Sequence, residues 1–591
     1  MSSKRLGYIR LYRHLDKIFL LFFTSFLTLD YIWRPINGWL SAHLLAQSGF
    51  QFLSYNNALN ILTQSPLVFM GLLGIFLLNL LMAYFQIVYL FKGLYNLFDE
   101  EPLGLQAFIR KTWRDTIGAV HQFHLSKIIF IIFYLLVFFP ILGKLLNIYY
   151  LNKILIPTFI MDYLLDKFWI GLGILLLGFI IFIFSIRWMF ALPQILFEGA
   201  SVREAVAYSQ TKTHKRWWYY FWQLTWLSIK TSLFYLVTVG VILLFQIGVD
   251  SQTWVENLPL LLGVATVNFS LIKLVYYMMA SYFLLKFMGI LLERHLPTET
   301  AKQHPLLRVS IVGLGIAFFA FEGAESLVRP WEAKPLVISH RGVSEGNGVQ
   351  NTIESLEATA KLKPDFVEMD IRETKDGQFV LMHDPNLKDL AGVDATTNDL
   401  PLDELTQLDL SENGHTAKLA SFEAYLDKAD ELGQKLLIEI KTSKQDSPDM
   451  MDRFLKTYGK RIKEKGHEIH SLDYHVVDAV VKYDKDIPVF FILPYNTIFP
   501  QTKATGYTME YSTLDEHFVN RLWASDKEVY DWTINDEAAI RKSFQLDVDG
   551  MITDDVQLVQ ENIRDEFDNP DFFELLWNYA TDYMNIFASA A

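Results

Sequence analysis

Three short motifs between residues 338 and 384 decide the interpretation of this chain: ISHRG at Ile338–Gly342, DFVEMDIR at Asp365–Arg372 and HD at His383–Asp384. An apolar run from Pro335 to Ser339 leads into the first motif and predicts a buried strand that ends where polar side chains begin. A histidine carries a proton near neutral pH, and the planar guanidinium of an arginine suits phosphate. His340 and Arg341 therefore indicate acid–base and phosphate chemistry at the end of this strand.

The second motif puts two carboxylates on one face of a strand. Side chains alternate between the two faces of a strand, so Glu368 and Asp370 point the same way. Two adjacent carboxylates repel each other unless a cation lies between them, and oxygen ligands of this kind suit Ca²⁺ or Mg²⁺. The competing interpretation is a solvated strand face, but the apolar residues that flank both carboxylates favour burial of the opposite face.

A tight turn returns the third motif to the second. Thr374–Gly377 reads TKDG and contains the Asp-Gly pair of a hairpin turn. Residues 378–382 then run back as an antiparallel strand, which brings His383 to the level of the two carboxylates. One local hairpin thus gathers a histidine and two carboxylates, and His340 joins them from another strand.

Together these motifs resemble the glycerophosphodiester phosphodiesterase family. HRG, Asn351-Thr352, EMD, TKDG and HD follow in the family's order. Further matching motifs are IEIK at Ile438–Lys441, SLD at Ser471–Asp473, WTIN at Trp532–Asn535 and GMITD at Gly550–Asp554. The resemblance covers about Pro335 to Gln560. It departs at one motif, where Val349-Gln350 stands in place of the family's Pro-Glu. The missing carboxylate changes the local charge and bears on how the substrate fits, but it affects none of the residue roles.

The resemblance implies a TIM barrel and roles for eight residues in hydrolysing a phosphodiester. His340 and His383 form the acid–base pair. Glu368, Asp370 and Glu439 are the ligands of a divalent cation, which is Ca²⁺ or Mg²⁺. Arg341, Lys441 and Trp532 contact the phosphate or the rest of the substrate. Spacing alone leaves a simple ion pair between Glu439 and Lys441 equally open, because both lie on one strand face. Five histidines match no role in the family and are interpreted as structural or surface residues: His415, His467, His470, His475 and His517.

Eight short apolar segments predict the eight parallel strands that a TIM barrel needs. They are residues 335–340, 366–371, 436–440, 467–472, 488–493, 505–511, 529–533 and 549–553. The return strand at 378–382 is additional and antiparallel. His340, Asp370, Lys441 and Trp532 all fall at the C-terminal ends of predicted strands, where this fold carries its chemistry.

Composition excludes several classes of chemistry. The 591 residues include no cysteine, which excludes disulfides, thiolate metal sites and cysteine nucleophiles. Lys and Arg outnumber Asp and Glu by 27 to 17 before Pro335, whereas from there on Asp and Glu prevail by 49 to 25. The acidic C-terminal part argues against nucleic acid as a partner and is compatible with a bound divalent cation.

Long apolar runs in the first 325 residues predict a multi-span helical membrane domain. They cover about residues 18–33, 67–91, 128–150, 168–192, 219–248, 259–291 and 306–325, each close to the roughly 20 residues that cross a bilayer. We therefore expect about seven spans in the cell membrane. Lys and Arg concentrate in the segments that lie inside when the N-terminus is cytoplasmic, so an odd number of spans predicts an extracellular catalytic domain.

The predicted organisation is a membrane domain at 1–325, a short linker at 326–334, a catalytic barrel at 335–560 and an amphipathic helix at 561–591. Residues 385–420 form an insertion over the barrel mouth, which either shapes substrate entry or is a surface excursion. The last helix is expected to pack on the barrel or on the membrane domain, since it lacks the basic face of a lipid-inserting helix.

Three functions are compatible with this organisation. The first is a membrane-anchored, metal-dependent glycerophosphodiester phosphodiesterase that acts at the outer membrane face on lipid headgroups, deacylated phospholipids or lipid-anchored polymers of the lipoteichoic-acid type. The second is a lipid-binding or transport membrane protein with a regulatory barrel. The third is a phospholipase-D-like enzyme. The complete set of site residues favours an active enzyme over a regulatory barrel, and the TKDG hairpin and downstream motifs favour the first enzyme over the third.

Overall fold

A computed structural model describes eleven parts of the chain: residues 14–54, 57–99, 101, 103–121, 124–135, 157–251, 258–297, 305–328, 333–495, 498–568 and 572–584. The chain divides into two units. A helical unit comprises Met1–Leu327 together with Phe572–Ala591, and a catalytic unit comprises Val328–Asp571. The helical unit is therefore discontinuous in sequence, with the catalytic unit inserted before its last segment. Residues 329–332 of the predicted linker lie outside the described residues.

The described part of the helical unit consists of helices, many of them apolar. Its described helices are Leu15–Phe26, Arg34–Gln47, Ala58–Gln64, Pro66–Asn96, Leu105–His121, Leu125–Phe133, Thr158–Leu165, Phe168–Arg187, Ala191–Phe197, Val202–Thr213, Trp217–Asp250, Leu258–Leu292, Pro305–Val328 and Phe572–Met584. A π-helical segment, Leu27–Trp33, joins the first two. The helix Val202–Thr213 begins with a capping box, in which Ser201 and Glu204 satisfy each other's backbone N–H groups.

Four described helices are long and apolar enough to cross a membrane: Pro66–Asn96, Phe168–Arg187, Trp217–Asp250 and Leu260–Leu292. The bent pair Leu105–His121 and Leu125–Phe133 raises this number to five if it forms one span. Large apolar side chains on these helices face outward, as Leu175 and Leu244 do at 70% and 69% exposure. Such surfaces suit lipid, where a helix also satisfies its own backbone hydrogen bonds. The expectation of about seven spans stays a prediction, because run 128–150 lies partly outside the described residues.

Two helices occupy the region that the sequence suggests is one amphipathic helix, residues 561–591. Val556–Asp568 belongs to the catalytic unit, and Phe572–Met584 belongs to the helical unit. Pro570 lies between them, and proline disfavours a continuous helix because it lacks an N–H and clashes with the preceding turn. Residues 585–591 lie outside the described residues.

The C-terminal helix Phe572–Met584 packs on two long helices of its own unit. The Tyr235 hydroxyl donates a 3.0 Å hydrogen bond to the Ala580 carbonyl, and the Phe573 amide donates one of 3.1 Å to Asp250. The rings of Phe269 and Tyr579 meet edge to face with centroids 4.8 Å apart. The helix is thus an integral part of the helical unit, in agreement with one of the two packings expected from its sequence.

Eight parallel strands close into a barrel in the catalytic unit, as the sequence predicts. The strands of this unit in chain order are β1 Leu336–Ser339, β2 Phe366–Glu373, β3 Phe379–Leu381, β4 Asp409–Glu412, β5 His415–Lys418, β6 Leu436–Ile440, β7 Glu468–Ser471, β8 Val489–Leu493, β9 Gly506–Glu510, β10 Glu528–Trp532 and β11 Gly550–Thr553. β1 pairs in parallel with both β11 and β2, which closes the ring. β3 is antiparallel to β2 and lies outside the parallel set, so the predicted return strand is confirmed.

Helices of the catalytic unit alternate with these strands, and a separate apolar cluster lies under the insertion. The helices and 3₁₀ turns are His340–Gly342, Ile353–Thr359, Ala360–Leu362, Lys388–Ala391, Thr397–Asp399, Leu402–Leu405, Phe422–Leu432, Met450–Lys465, Tyr474–Tyr483, Tyr511–Thr513, Glu516–Trp523, Glu537–Leu546 and Val556–Asp568. Leu387, Leu405 and Leu410 are fully buried against Val380 and Met382. The insertion therefore has a small core of its own, which holds the β4–β5 hairpin in place.

The burial pattern of the C-terminal helix gives a stability test. Leu576 is fully buried, whereas its neighbour Trp577 is 46% exposed. Leu576→Ala leaves a cavity, and such changes cost about 2–5 kcal/mol, so we expect the helix to detach more readily. Protease cleavage near residues 569–571, read out on an epitope placed after the last residue, should accelerate in Leu576→Ala and stay unchanged in Trp577→Ala. Equal cleavage of both variants would contradict this packing.

Candidate active site

The HRG motif forms a tight turn at the end of β1. Residues His340–Gly342 make a single 3₁₀ turn, in which Arg341 adopts a left-handed conformation with φ of 51°. This conformation costs a non-glycine residue roughly 1–3 kcal/mol and is characteristic of functional sites. It directs the Arg341 amide to Glu368 Oε2, at 2.7 Å. A Cβ atom on Gly342 would lie 2.7 Å from the Tyr425 hydroxyl, so the turn also requires glycine for space.

An aspartate from the last strand holds His340. Asp554 follows β11, and its Oδ1 lies 2.8 Å from Nδ1 of His340. Asn535 donates a 2.7 Å hydrogen bond to the other carboxylate oxygen. Burial lowers the pKa of His340, but the hydrogen bond to Asp554 and the charges of Asp554 and Glu368 together outweigh burial, and the net pKa is raised. His340 is therefore held as a proton carrier with Nε2 as its remaining ring nitrogen.

His383 lies at the end of the β2–β3 hairpin, where the sequence predicts it. Its carbonyl oxygen accepts two hydrogen bonds from the Arg372 guanidinium, at 2.8 and 2.6 Å. Its Nδ1 lies 2.9 Å from Asp384. Burial lowers the pKa of His383 to about 4, because the attraction of Asp370 does not compensate for the lost hydration. The pKa values of the two histidines are therefore shifted in opposite directions, although each has a carboxylate at Nδ1.

Three groups on neighbouring strands form a buried cluster that could hold a metal ion. Glu368, Glu439 and His470 each offer a ligand atom, and these atoms lie within 4.8 Å of one another. The cluster arises from β2, β6 and β7, in which Glu439 and His470 are register partners. His470 Nε2 is buried without a hydrogen-bond partner among the described residues and lies 3.5 Å from Glu368 Oε1. Such a buried, unpaired nitrogen facing two carboxylates fits a cation site.

Asp370, the third expected ligand, is fully buried beside this cluster. Its carboxylate accepts a 2.9 Å hydrogen bond from Asn351, whose amide oxygen accepts one of 3.0 Å from the Asp370 N–H. Lys441 Nζ lies 3.2 Å from Oδ1. Burial raises the pKa of Asp370, but the charges of Lys441, His383 and Arg341 outweigh burial and hold it well below its usual range. The ligand role of Asp370 stays a prediction.

Lys441 bridges two carboxylates at the end of β6. Its Nζ lies 2.7 Å from Glu439 and 3.2 Å from Asp370. Burial lowers the pKa of Lys441, but these two charges outweigh burial and raise it. The ion pair that spacing left open is therefore present, and it holds a charged ammonium at the barrel mouth. A phosphate role for Lys441 stays a prediction.

Arg341 connects to the insertion through the residue that departs from the family pattern. Its Nη1 donates a 2.9 Å hydrogen bond to the side-chain oxygen of Gln350. Gln350 in turn donates two bonds to Glu412, from its backbone N at 2.9 Å and from Nε2 at 2.6 Å. Glu412 is the last residue of β4. A relay of Arg341, Gln350 and Glu412 therefore fastens the insertion hairpin to the HRG turn.

Other motif residues have structural partners. Trp532 ends β10 and packs half-buried against the inner barrel cluster, so its substrate contact stays a prediction. Asp473 caps the helix Tyr474–Tyr483 by accepting a 2.9 Å bond from the His475 amide. His467 accepts a 3.0 Å bond from the Leu436 amide and is structural, as its sequence suggests. His470 is the exception, because it belongs to the cluster and was not among the expected site residues.

Comparison with known families decides the identity of this architecture. Residues 5–322 match the membrane domain of glycerophosphoryl diester phosphodiesterase, and residues 340–558 match the glycerophosphoryl diester phosphodiesterase family. The chain belongs to the glycerophosphoryl diester phosphodiesterase family. It is a multi-pass membrane enzyme with the activity of a phosphoric diester hydrolase.

Several curated relatives match about two fifths of this chain. A glycerophosphodiester phosphodiesterase of Caldanaerobacter subterraneus subsp. tengcongensis is 24% identical, over 39% of this chain and 98% of the relative. One of Bacillus subtilis is 24% identical, over 43% of this chain and 95% of the relative. Lysophospholipase D GDPD1 of Homo sapiens is 25% identical, over 37% of this chain and 82% of the relative.

Solved structures resemble the same part of the chain. A phosphodiesterase of Oleispira antarctica, in complex with the product sn-glycerol-3-phosphate, is 22% identical over 40% of this chain and 98% of its own, with a TM-score of 0.35. A glycerophosphoryl diester phosphodiesterase of Silicibacter pomeroyi is 19% identical over 41% and 97%, with a TM-score of 0.36.

The Gln350 relay predicts a selective effect on substrate binding. Gln350→Ala removes the hydrogen bond that orients the Arg341 guanidinium, and a bond to a charged group is worth about 1.5–3 kcal/mol. We expect KM for a small glycerophosphodiester to rise about 10- to 100-fold, with a smaller change in kcat. Steady-state kinetics measures both.

Two variants complete this test. Glu412→Ala frees the amide end of Gln350 and should raise KM less than Gln350→Ala. Glu404→Ala, on an exposed part of the same insertion, should leave KM unchanged. An unchanged KM in Gln350→Ala would show that Arg341 does not depend on this relay.

Proposed function

We propose that this enzyme is a metal-dependent phosphodiesterase that hydrolyses glycerophosphodiester groups at the outer face of the cell membrane. The observation that carries the proposal is the pair of histidines with opposite pKa shifts beside buried carboxylates, since such a pair supplies both an acid and a base to one reaction. The candidate substrates are deacylated phospholipids, lipid headgroups and lipid-anchored polymers of the lipoteichoic-acid type.

The residues at the barrel mouth fit a divalent cation, Ca²⁺ or Mg²⁺. Glu368 and Glu439 would hold it, with Asp370 as the third predicted ligand and His470 as a further donor on the adjoining strand. Hard cations of this kind prefer carboxylate oxygen ligands. When bound, the cation neutralises phosphate oxygens and orients them for in-line attack.

The opposite pKa shifts support different roles for the two histidines. His340 has a raised pKa and is proposed as the general acid that protonates the leaving alkoxide. His383 has a lowered pKa and is proposed as the general base that removes the proton of the attacking hydroxyl. The family resemblance implies that the neighbouring glycerol hydroxyl attacks the phosphorus and displaces the leaving alkoxide, which gives a cyclic phosphate that water then opens. Arg341 and Lys441 stabilise the charge that develops on the phosphate oxygens.

An extracellular catalytic unit is supported by the distribution of Lys and Arg among the short loops of the helical unit. These residues concentrate in the segments that are cytoplasmic when the N-terminus is inside, and an odd number of spans then carries the catalytic unit across. Protection from protease added to intact cells would contradict this orientation.

A lipid substrate has support from one relative. Human GDPD1 carries the name lysophospholipase D, which indicates that a barrel similar to this one acts on a lysolipid. Lipid headgroups therefore remain among the proposed substrates, and they include the phospholipase-D-like alternative. A purely regulatory barrel has less support, because the acid–base pair, the carboxylate cluster and both basic residues are all present.

Histidine variants test the reaction. His340→Ala and His383→Ala should each lower turnover of a glycerophosphodiester by about 10²- to 10⁴-fold, since each removes one proton-transfer step. Product release measured by chromatography gives the rate, and thermal unfolding confirms that the variants fold. Near-normal turnover by either variant would remove that histidine from the mechanism.

Asp554→Asn gives the same assignment a pH readout. Asp554 raises the pKa of His340, so its loss lowers that pKa. Because the acid must be protonated, the alkaline limb of kcat/KM should move to lower pH, while the acid limb, set by His383, stays in place. Asp555→Asn is the matched control, because Asp555 caps the next helix through Leu558 and asparagine caps equally well. A shift of the acid limb instead would exchange the roles of the two histidines.

Metal removal tests the cation. We expect chelation to abolish activity and Ca²⁺ or Mg²⁺ to restore it, because the cluster leaves buried negative charge that a cation would neutralise. A Glu439→Gln variant should need more metal for half-maximal activity than the unmodified chain. Full activity in a chelated, metal-free preparation would refute metal dependence.

The helical unit is proposed to do more than anchor the enzyme. One span would suffice for anchoring, whereas this chain has at least four candidates, and a fixed attachment raises the local concentration of membrane-bound substrate. The full chain and a protein truncated to residues 333–568 should hydrolyse a small glycerophosphodiester at similar rates. The truncated protein should lose activity on a lipid-anchored substrate in vesicles. If the truncated protein matched the full chain on both substrates, the helical unit would serve only as an anchor.

A further inference from the structure

The helical unit contains a partly open cavity of about 220 Å³. Its walls come from the helices Leu15–Phe26, Leu258–Leu292 and Pro305–Val328, with one residue from Pro66–Asn96. Aromatic rings dominate the lining, among them Phe19 and Phe319. A cavity of about 150 Å³ binds benzene in another protein, so this volume admits a lipid headgroup or a chain segment but not an entire diacyl lipid.

Two charged side chains face each other in this mainly apolar lining. Lys273 Nζ forms an ion pair with Glu322, and the two side chains are 10% and 31% exposed. The ammonium also lies 4.8 Å from the centre of the Phe269 ring. Lys273 is the sixteenth residue of the helix Leu258–Leu292, about 22 Å from its start at 1.5 Å per residue. The pair therefore lies well inside a candidate span, where ionisable residues are costly and mark functional sites.

An unpaired hydroxyl in the same lining points independently to a ligand. Ser25 is 7% exposed, and its Oγ is buried without a hydrogen-bond partner among the described residues. A buried hydroxyl that lacks a partner costs roughly 1–3 kcal/mol. A purely structural ion pair would account for Lys273 and Glu322, but it would account neither for the open volume between them and the aromatic wall nor for the unsatisfied hydroxyl.

We propose that this cavity binds the headgroup of a zwitterionic phospholipid. Its phosphate would accept hydrogen bonds from Lys273 and Ser25, and its ammonium would pair with Glu322. Charge balance favours this class of lipid. The Lys273–Glu322 pair is neutral, so a zwitterion leaves the buried site neutral, whereas an anionic lipid would leave an uncompensated charge in an apolar surrounding. The aromatic wall accommodates the first methylene groups of the chain.

This site belongs to the helical unit and not to the catalytic unit, although both are proposed to take lipid headgroups. All residues that carry the argument belong to the helical unit. The helical unit would then bind a specific phospholipid from the surrounding bilayer, in addition to its role as an anchor.

Binding to the full-length protein in detergent tests the proposal. The probe is lysophosphatidylethanolamine with a fluorescent acyl chain, compared with the same chain on lysophosphatidylglycerol and on an uncharged monoacylglycerol. We expect the zwitterionic probe to bind at least 10-fold more tightly than the other two. Equal binding of all three probes would mean that only the chain is recognised and would overturn the proposal.

Variants locate the binding site. Lys273→Met should weaken binding of the zwitterionic probe at least 10-fold, and Ser25→Ala, which is small enough to preserve the packing, should weaken it about 3- to 10-fold. Lys230→Met is the matched control, because Lys230 lies in another span, is exposed and does not line the cavity. Hydrolysis of a small soluble glycerophosphodiester by the same preparations should not change, which separates this result from any failure of the proposed reaction. Normal probe binding by Ser25→Ala and by Lys273→Met would overturn the proposal.

Discussion

Burial of three carboxylates at one end of the barrel is the constraint on which the rest of the site depends. Glu368, Asp370 and Glu439 are 2%, 0% and 7% exposed, and removing each charge from water costs several kcal/mol. Lys441 offsets part of this cost through its contacts with two of them. Arg341 contributes a backbone N–H to the first of the three. Lys441 and the Arg341 guanidinium, whose Nε lies 4.0 Å from Asp370, face this group of carboxylates, and burial raises the pKa of Glu439.

The two histidines differ because their surroundings differ, although each has an aspartate at Nδ1. His340 has its partner Asp554 held in turn by Asn535, and its net pKa is raised. His383 has Asp384, whose side chain is 65% exposed, and the positive charges of Lys441 and Arg341 lower its pKa further. One site thus holds an imidazole with a raised pKa and another with a lowered pKa, which suits an acid and a base that act in one step.

The parts of the structure that were predictable from sequence are those with a local cause. Alternation within β2 and the Asp-Gly turn after it placed Glu368 and His383 at one level, and short apolar segments predicted all eight parallel strands. The contacts that the sequence did not reveal join distant segments. Asp554 meets His340 only because β11 closes the barrel onto β1, 214 residues away in sequence. His470 joins Glu439 only because β7 lies beside β6, in a register that no spacing prescribes.

Gln350, where the chain departs from the family pattern, has a role that depends on a contact with a residue distant in sequence. Viewed in sequence, the change from glutamate to glutamine removes a negative charge near Arg341. In the structure, Gln350 lies between the Arg341 guanidinium and the carboxylate of Glu412, and its side chain is hydrogen-bonded to both. The amide can accept from the guanidinium with its oxygen and donate to the carboxylate with its nitrogen, whereas a glutamate could do only the first. The glutamine therefore couples the insertion to the HRG turn, at the cost of weaker neutralisation of Arg341.

The order of the chain imposes a further condition on the helical unit. Its last helix is synthesised after the whole barrel, yet it covers Tyr235 and supplies the carbonyl that accepts its hydroxyl. Tyr235 is 1% exposed in the folded chain, so its hydroxyl lacks this partner until residues 572–584 arrive. Domains generally fold from the N-terminus as they emerge, and the helices Trp217–Asp250 and Leu258–Leu292 can assemble early with this face unfinished. The helical unit is therefore complete only after residues 572–584 have been synthesised, which follows synthesis of the whole catalytic unit.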